Sequence, residues 1–394
     1  MSWLIRSVKF ILILCLTSFF LTGCWDRAEV NDLALILAAG IDKGKKNNIE
    51  LSAQIFIPRA PQGGQQSGMS SGGSTGQSFV RSAEGETIAD AMARLQEELT
   101  REIFWGQNEV LIIGETLAKE GISDHIDFWI RHSEPRIRAD VFVSKGRSKT
   151  VLEAMPELER YTSKQLRKMV KTHIGVKVTV KDLSQMLSGA SDAAVLPWVE
   201  NLDPSMMDSK KAIPIINGAA IFKEGKMVGR LDDKQTRGIL WPKNEIQSGV
   251  ITISFKNEPG YISLNLLRSH SELIPTIKNG KWGMHMKSNV DLEVIQNTTT
   301  LNLFDPKVRK KAEQKVGLEI EQRERLAFSI VKKELHADIF GFADEFQREY
   351  PQIWKQKEDK WDEIFPKVAI SFGTKVNISR TGLATEKRKT GVER

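Results

Sequence analysis

The most specific chemistry in this sequence belongs to one thiol. Leu21-Thr22-Gly23-Cys24 sets small residues directly before a cysteine, the pattern of a bacterial lipobox. A small residue lets the signal peptidase groove close on the chain. The thiol that follows carries diacylglycerol as a thioether. The residues upstream have the matching order. Arg6 and Lys9 give a positive start, and Phe10 to Leu21 is apolar apart from Thr17 and Ser18. About a dozen apolar residues make a signal-peptide core, whereas a spanning helix needs roughly 20. Cleavage is expected between Gly23 and Cys24, with S-diacylglycerol and an N-palmitoyl chain on Cys24. Loss of residues 1–23 removes Cys15 and leaves one cysteine, so no disulfide can form within the chain. Each buried methylene contributes ~0.8 kcal/mol and a single acyl chain binds only marginally, so two or more are needed for stable anchoring.

The rest of the chain shows no catalytic constellation. HExxH, P-loop and GxGxxG patterns are all missing from the sequence. The six histidines stand at 125, 132, 173, 270, 285 and 336. Only His270 and His285 could meet across neighbouring strands, too thin a basis for a metal site. Two carboxylates could face each other in a glycosidase cleft, but no spacing singles out a pair. No catalytic residue, cofactor or metal ligand is therefore assigned. The 394 residues carry a formal net charge of +7, falling to +5 once Arg6 and Lys9 are cleaved off. That favours anionic partners without choosing one. Nucleic acid is excluded by scattered basic residues, the lack of a reader motif and an exported address. Trp25 suits either the membrane interface or packing on the domain. Trp105, Trp129, Trp241, Trp354 and Trp361 read as core.

The elements that must carry this anchor divide the chain. Leu33 to Ile41 is a continuous apolar run, and Leu51, Ala53, Ile55 and Ile57 alternate with polar residues, so both read as strands. Residues 60–78 hold six glycines and five serines, read as a long flexible hairpin loop rather than an interdomain linker. Ile88, Met92, Leu95 and Leu99 fall on one helical stripe. A strand at Glu109 to Ile113, a helix bearing Ile126 and Trp129, and a strand at Arg138 to Val143 complete an α/β unit. Residues 150–196 read as mainly helical, with a boundary near Pro197 and Pro204. Glu224-Gly225-Lys226 signals a hairpin. Strands are expected at Val250 to Phe255, Ile262 to Leu267, Val290 to Ile295 and Pro366 to Ile378. Asp305-Pro306 starts a helix expected to run to about Arg348, roughly 60 Å at 1.5 Å per residue. The expected fold class is α+β with about three domains, built of mixed or antiparallel sheets with packed helices. Its expected divisions are a signal peptide at 1–23, an N-terminal α/β domain at 24–148 and a helical middle domain with linker at 149–211. A C-terminal α+β domain with the long helix follows at 212–380, then a basic tail at 381–394.

Several of these residues together resemble a known family. Gly23-Cys24-Trp25-Asp26-Arg27, Glu29, Asn31-Asp32-Leu33-Ala34 and Gly40-Ile41-Asp42 resemble the opening of the Ger(x)C lipoproteins, the C subunits of spore germinant receptors. Gln54 to Pro58, Gly85-Glu86-Thr87, Phe104-Trp105-Gly106 and Arg131 with Glu134 and Arg136 continue the likeness. Gly218 to Phe222, Val228-Gly229, Leu231, Arg237-Gly238 and Leu240-Trp241 resemble a second module. Asp338-Ile339-Phe340-Gly341-Phe342, Pro351, Trp354, Trp361 and Phe365 resemble the closing one. Gln107 and His132 depart from residues common in the family. The resemblance implies a non-enzymatic, lipid-anchored subunit on the outer face of the spore inner membrane. It also implies two membrane-embedded partner subunits, A and B, and a response to nutrients. The competing expectation is an extracytoplasmic solute-binding lipoprotein that captures the germinant itself, which requires a deep cleft with convergent polar groups.

Overall fold

The computed structural model describes residue 3 and residues 30–58, 76–154, 156, 158–172, 175–202, 212–246 and 248–381. The described chain is mixed α+β, with two sheets and eleven α-helices.

The first sheet has nine strands. Its order is β3 (Gly76–Gly85), β2 (Ile49–Pro58), β1 (Leu33–Lys43), β5 (Val110–Gly114), β6 (Asp140–Ser144), β7 (Ala193–Asn201), β8 (Pro214–Lys223) and β9 (Lys226–Leu231). The short β4 (Glu102–Phe104) also pairs with β1. The centre is parallel, from β1 through β5 and β6 to β7, and the flanks are antiparallel hairpins. Parallel strands need cover on both faces. Val110 and Ile112 of β5 accordingly pack with α4 (Ser148–Leu152) and α5 (Thr162–Lys171). Leu111 and Ile113 face the opposite way, into the core that holds α1 (Ile88–Glu97), α3 (Ser123–Arg131) and α6 (Val180–Leu187). The short α2 (Glu115–Glu120) follows β5 directly.

β2 and β3 pair directly, so the glycine–serine stretch joins the two arms of one hairpin. The loop itself, residues 59–75, lies outside the described residues. Among the described residues, 150–196, read as mainly helical, hold the end of α4, then α5 and α6, with extended or bent chain between them, and 193–201 is a strand. Pro197 sits there at a register shift between β7 and β8, where a missing N–H is tolerated. The expected divisions at 148/149 and 211/212 fall between strands of this one sheet.

The second sheet runs β10 (Val250–Phe255), β11 (Glu258–Lys278), β12 (Lys281–Asn297) and β13 (Ala369–Arg380). Its long central hairpin turns at Asn279 and Gly280, with φ of 50° and 73°. Both residues lie in the left-handed region, as a type I′ turn requires. One face is buried through Ile262, Leu264, Leu266, Met284, Met286 and Leu292. It packs against α8 (Pro306–Lys333), whose Ala312, Val316, Ile320, Ala327 and Val331 form the matching stripe.

The expected helix to Arg348 is two helices. α8 ends at Lys333, and α9 (Phe342–Glu349) follows after a break. His336 at φ 50° and Gly341 at φ 77° turn the chain, and Asp338 recruits the next N-terminus. Short helices α10 (Pro351–Trp354) and α11 (Trp361–Ile364) lead to β13. The remaining helix, α7 (Asp233–Leu240), joins the two sheets.

Candidate functional site

The residues assigned chemistry in the sequence, Gly23 and Cys24, lie outside the described residues, as does Trp25. The described chain proper begins at Val30. What the structure does reveal is why the motif residues are there: they build two clasps and one joint.

Asp42 makes the first clasp. Its carboxylate is buried at the end of β1 and accepts from Ser148 N at 2.8 Å, Ser148 Oγ at 2.7 Å and Lys149 N at 3.3 Å. Two of these donors are free N–H groups of the first turn of α4 and the third is the Ser148 hydroxyl. Gly114 leaves room for the carboxylate, since a Cβ there would strike Asp42 Oδ1, and Gly40 leaves room for Ser148. Gln54 ties down the same helices. It donates to Leu152 O at 3.2 Å and accepts from Ser163 N at 3.3 Å.

Asp338 makes the second. It accepts from Phe342 N at 3.1 Å and Ala343 N at 2.8 Å, at the start of α9. Complete burial raises its pKa to about 6, the bonds from the backbone pulling the other way. Around it Phe328, Phe340, Phe342, Phe365 and Phe372 stack with centroid separations from 3.9 to 5.9 Å. Trp282, Phe346, Trp354 and Trp361 form a neighbouring aromatic group. The five tryptophans read as core are all buried.

The joint lies where α7 crosses α8. A Cβ on Gly238 would stand 2.5 Å from Arg323 O and 2.8 Å from Ala327 Cβ, so only glycine permits this approach. Gly229 of β9 meets Leu335 in the same way. Directly after Arg323 in α8, Glu324 is fully buried, and neither carboxyl oxygen has a hydrogen-bond partner among the described residues. Burial raises its pKa to about 9, with the charge of Glu321 adding to the effect. At neutral pH it is therefore a protonated acid.

His270 and His285 do not meet. His270 opposes Asn289 and His285 opposes Ile274, which puts about 13 Å of strand between them. His285 instead bonds Ser371 Oγ at 2.9 Å. Among the described residues no group of three or more metal-ligating side chains converges. The departures are accommodated: Gln107 accepts from Arg136 at 3.0 Å, and His132 stacks on Phe128.

A cavity lies at the joint and two grooves lie beyond it, on residues 242–245 after α7. The cavity, of about 160 Å³ against Trp241 and Arg323, is below the size of a typical ligand pocket. The grooves are larger. One of about 610 Å³ runs between residues 242–244 and Arg348. The other, about 460 Å³, brings Lys177, Asp182, Lys243 and Glu245 beside Asp338. Burial raises the pKa of Glu245, with Lys243 opposing.

Comparison with known proteins decides what these motifs belong to. Residues 26–201 match the spore germination protein N-terminal domain, and residues 217–382 match the C-terminal domain described as spore germination B3/GerAC like. The chain belongs to the Ger(x)C family. Its relatives in Bacillus subtilis (strain 168) include spore germination protein KC, 28% identical over 96% of this chain and 97% of that protein. Spore germination protein B3 is 22% identical over 95% and 97%. The crystal structure of the GerBC protein superposes with a TM-score of 0.56 at 18% identity, covering 87% of this chain and 97% of that one. The Ger(x)C fold is thus shared, and the clasps and joint are where this member spends its motif residues. Sequence reasoning missed Ser148 and Glu324. Ser148 had a readable signal, a serine opening a helix, but its partner lies 106 residues away.

Proposed function

We propose that this protein is the lipid-anchored C subunit of a nutrient germinant receptor, a non-catalytic scaffold for membrane-embedded subunits A and B. The observation that carries the reading is positional. The family match begins at residue 26, two residues after Cys24 of the lipobox. The described fold begins at Val30, and a stretch this short spans at most about 3.3–3.6 Å per residue, so an acyl chain on Cys24 would hold the body within a few tens of Å of the bilayer. Partners in that bilayer then meet it at high effective concentration. No helix among the described residues is long and apolar enough to cross a membrane. The clasps and joint support a scaffold, because each clasp ties a helix down within one half and the joint fixes the two sheets against each other.

The test is Cys24→Ala in spores. Wild type should give an N-terminal peptide whose mass includes diacylglycerol and an N-acyl chain, and should fractionate with membranes. The variant should fold yet lose most nutrient-triggered germination. Normal germination from a secreted, unacylated variant would reject the reading.

A second reading has one specific support. The groove of about 460 Å³ sets lysines beside carboxylates, the mixed charge that a zwitterionic nutrient such as an amino acid would need. Calorimetric titration of the purified chain with amino acids and sugars separates the two, since a pure scaffold gives no heat.

A further inference from the structure

We propose that the end of the four-stranded sheet from which α8 starts docks onto an anionic lipid surface, holding the C-terminal half against the bilayer. The proposal borrows from the anchored reading only that a bilayer is close at hand.

Four pieces of chain meet at this end. The β10–β11 turn carries Lys256, and Tyr261 lies just beyond it. Tyr261 accepts from Thr298 N at 2.9 Å, which brings in the connection from β12 to α8. Glu313 on the early part of α8 accepts from Ile378 N at 3.0 Å, which brings in the last residues of β13. Tyr261, Ile295 and Phe304 are 61%, 54% and 48% exposed there. Around them stand Lys256, Lys307, Arg309, Lys310 and Lys311, none in an ion pair among the described residues.

The carboxylates at this end are already engaged. Asp305 caps α8 through Lys307 N, Glu258 accepts from Thr300, and Glu293 pairs with Arg380 and Asn265. Hydrogen bonding leaves Asp305, Glu258 and Glu313 charged, so the five cations outnumber the three carboxylates without an ion pair by two and this end stays positive. From Arg380 the chain continues with Lys387, Arg388, Lys389 and Arg394 against Glu386 and Glu393.

The composition favours lipid over protein. Four of the five free cations are lysines, which protein interfaces avoid. Lysine is a flexible, hydrated point charge suited to mobile phosphates. The exposed tyrosine and phenylalanine stand apart rather than lining one pocket, as interfacial aromatic residues do at the headgroup level.

The experiment uses the acylated chain reconstituted into vesicles of phosphatidylcholine alone, or of phosphatidylcholine mixed equally with phosphatidylglycerol. Lysines are acylated from the aqueous phase and read residue by residue by mass spectrometry. Labelling of Lys256, Lys307, Lys310 and Lys311 should fall about tenfold on the anionic vesicles and recover in high salt, while Lys119 and Lys226 stay unchanged. Replacing the four lysines by glutamine should abolish flotation of unacylated chain with anionic vesicles and leave the thermal midpoint unmoved. Equal labelling on both vesicles overturns the proposal, as does protection that appears only with added spore membrane proteins. Chain that floats only with anionic vesicles rejects the thioether anchor but upholds the surface. Chain that floats with both and shows no protection upholds the anchor and rejects the surface.

Discussion

Glu324 is held inside the protein as an acid without a hydrogen-bond partner among the described residues, and that has a measurable sign. Its folded pKa of about 9 stands far above the ordinary value of 4.5. Between those values the unfolded chain has lost a proton that the folded chain keeps, so stability falls as pH rises, by up to about 1.4 kcal/mol per unit. Other groups contribute as well. Asp338, at about 6, acts with the same sign but only at lower pH. His125, its pKa lowered by burial, acts with the opposite sign below pH 6.5. Glu245, its pKa raised by burial, acts with the same sign and Lys332, its pKa lowered by burial, with the opposite one. Glu324 is therefore isolated by comparing wild type with a Glu324 variant across the window from pH 7 to 8.5. Urea unfolding should show wild-type stability falling by about 2 kcal/mol more than the variant's across it. Glu324→Gln cannot ionise, so it should flatten that slope and add about 1–3 kcal/mol at pH 7. A wild-type slope no steeper than the variant's from pH 7 to 8.5 would show that the carboxyl finds a partner in solution.

At the scale of elements, α8 does more than cover the second sheet. β13 is an edge strand, and edge N–H groups left open invite pairing with another chain. Two carboxylates from α8 close them: Glu313 accepts from Ile378 N at 3.0 Å and Glu321 from Thr374 N at 3.2 Å. The spacing matches. Eight residues of helix rise about 12 Å, and four residues of strand cover about 13 Å. The double change Glu313→Ala and Glu321→Ala should cost about 1–3 kcal/mol and promote concentration-dependent association through β13. Light scattering checks the association, and hydrogen exchange at Thr374 and Ile378 checks its site.

How much of this was legible depended on how local the cause is. β1, β2, α1 and the start of α8 show in the sequence because their signals lie within a few residues: apolar runs, alternation, Asp305 before Pro306. The end of α8 did not. The apolar stripe continues through Leu335 and Ile339, and only the chain reversal at His336, with Asp338 bonding backward from α9, breaks it. β7 was hidden by Pro197, which reads as a breaker until a bulge partner is known. Asp42 stood out as a motif, but its partner Ser148 is supplied by the fold.

On the scale of the molecule, one apolar core runs from the first sheet to the second. Leu231, Ile239, Leu240 and Trp241 on one side belong to the same buried cluster as Ile320, Ala327 and Val331 on the other. Sheets that share a core should open together, whereas two domains joined by a polar interface should open independently. Native-state hydrogen exchange reads this directly. The slowest amides of β5, deep in the first sheet, and of β12, central to the second, should open with the same free energy. The contact that enforces this is Gly238 against Arg323 O. Gly238→Ala forces α7 off α8, and because the two helices are the main bridge between the sheets, the loss should fall on the coupling rather than on either sheet. In that variant β12 should exchange at lower free energy while β5 keeps its protection. A uniform drop at both would mean that the rest of the core transmits the coupling unaided. Separate values already present in the wild type would dissolve the joint, and with it the rigid scaffold that an anchored receptor subunit needs to hold its two halves in fixed register.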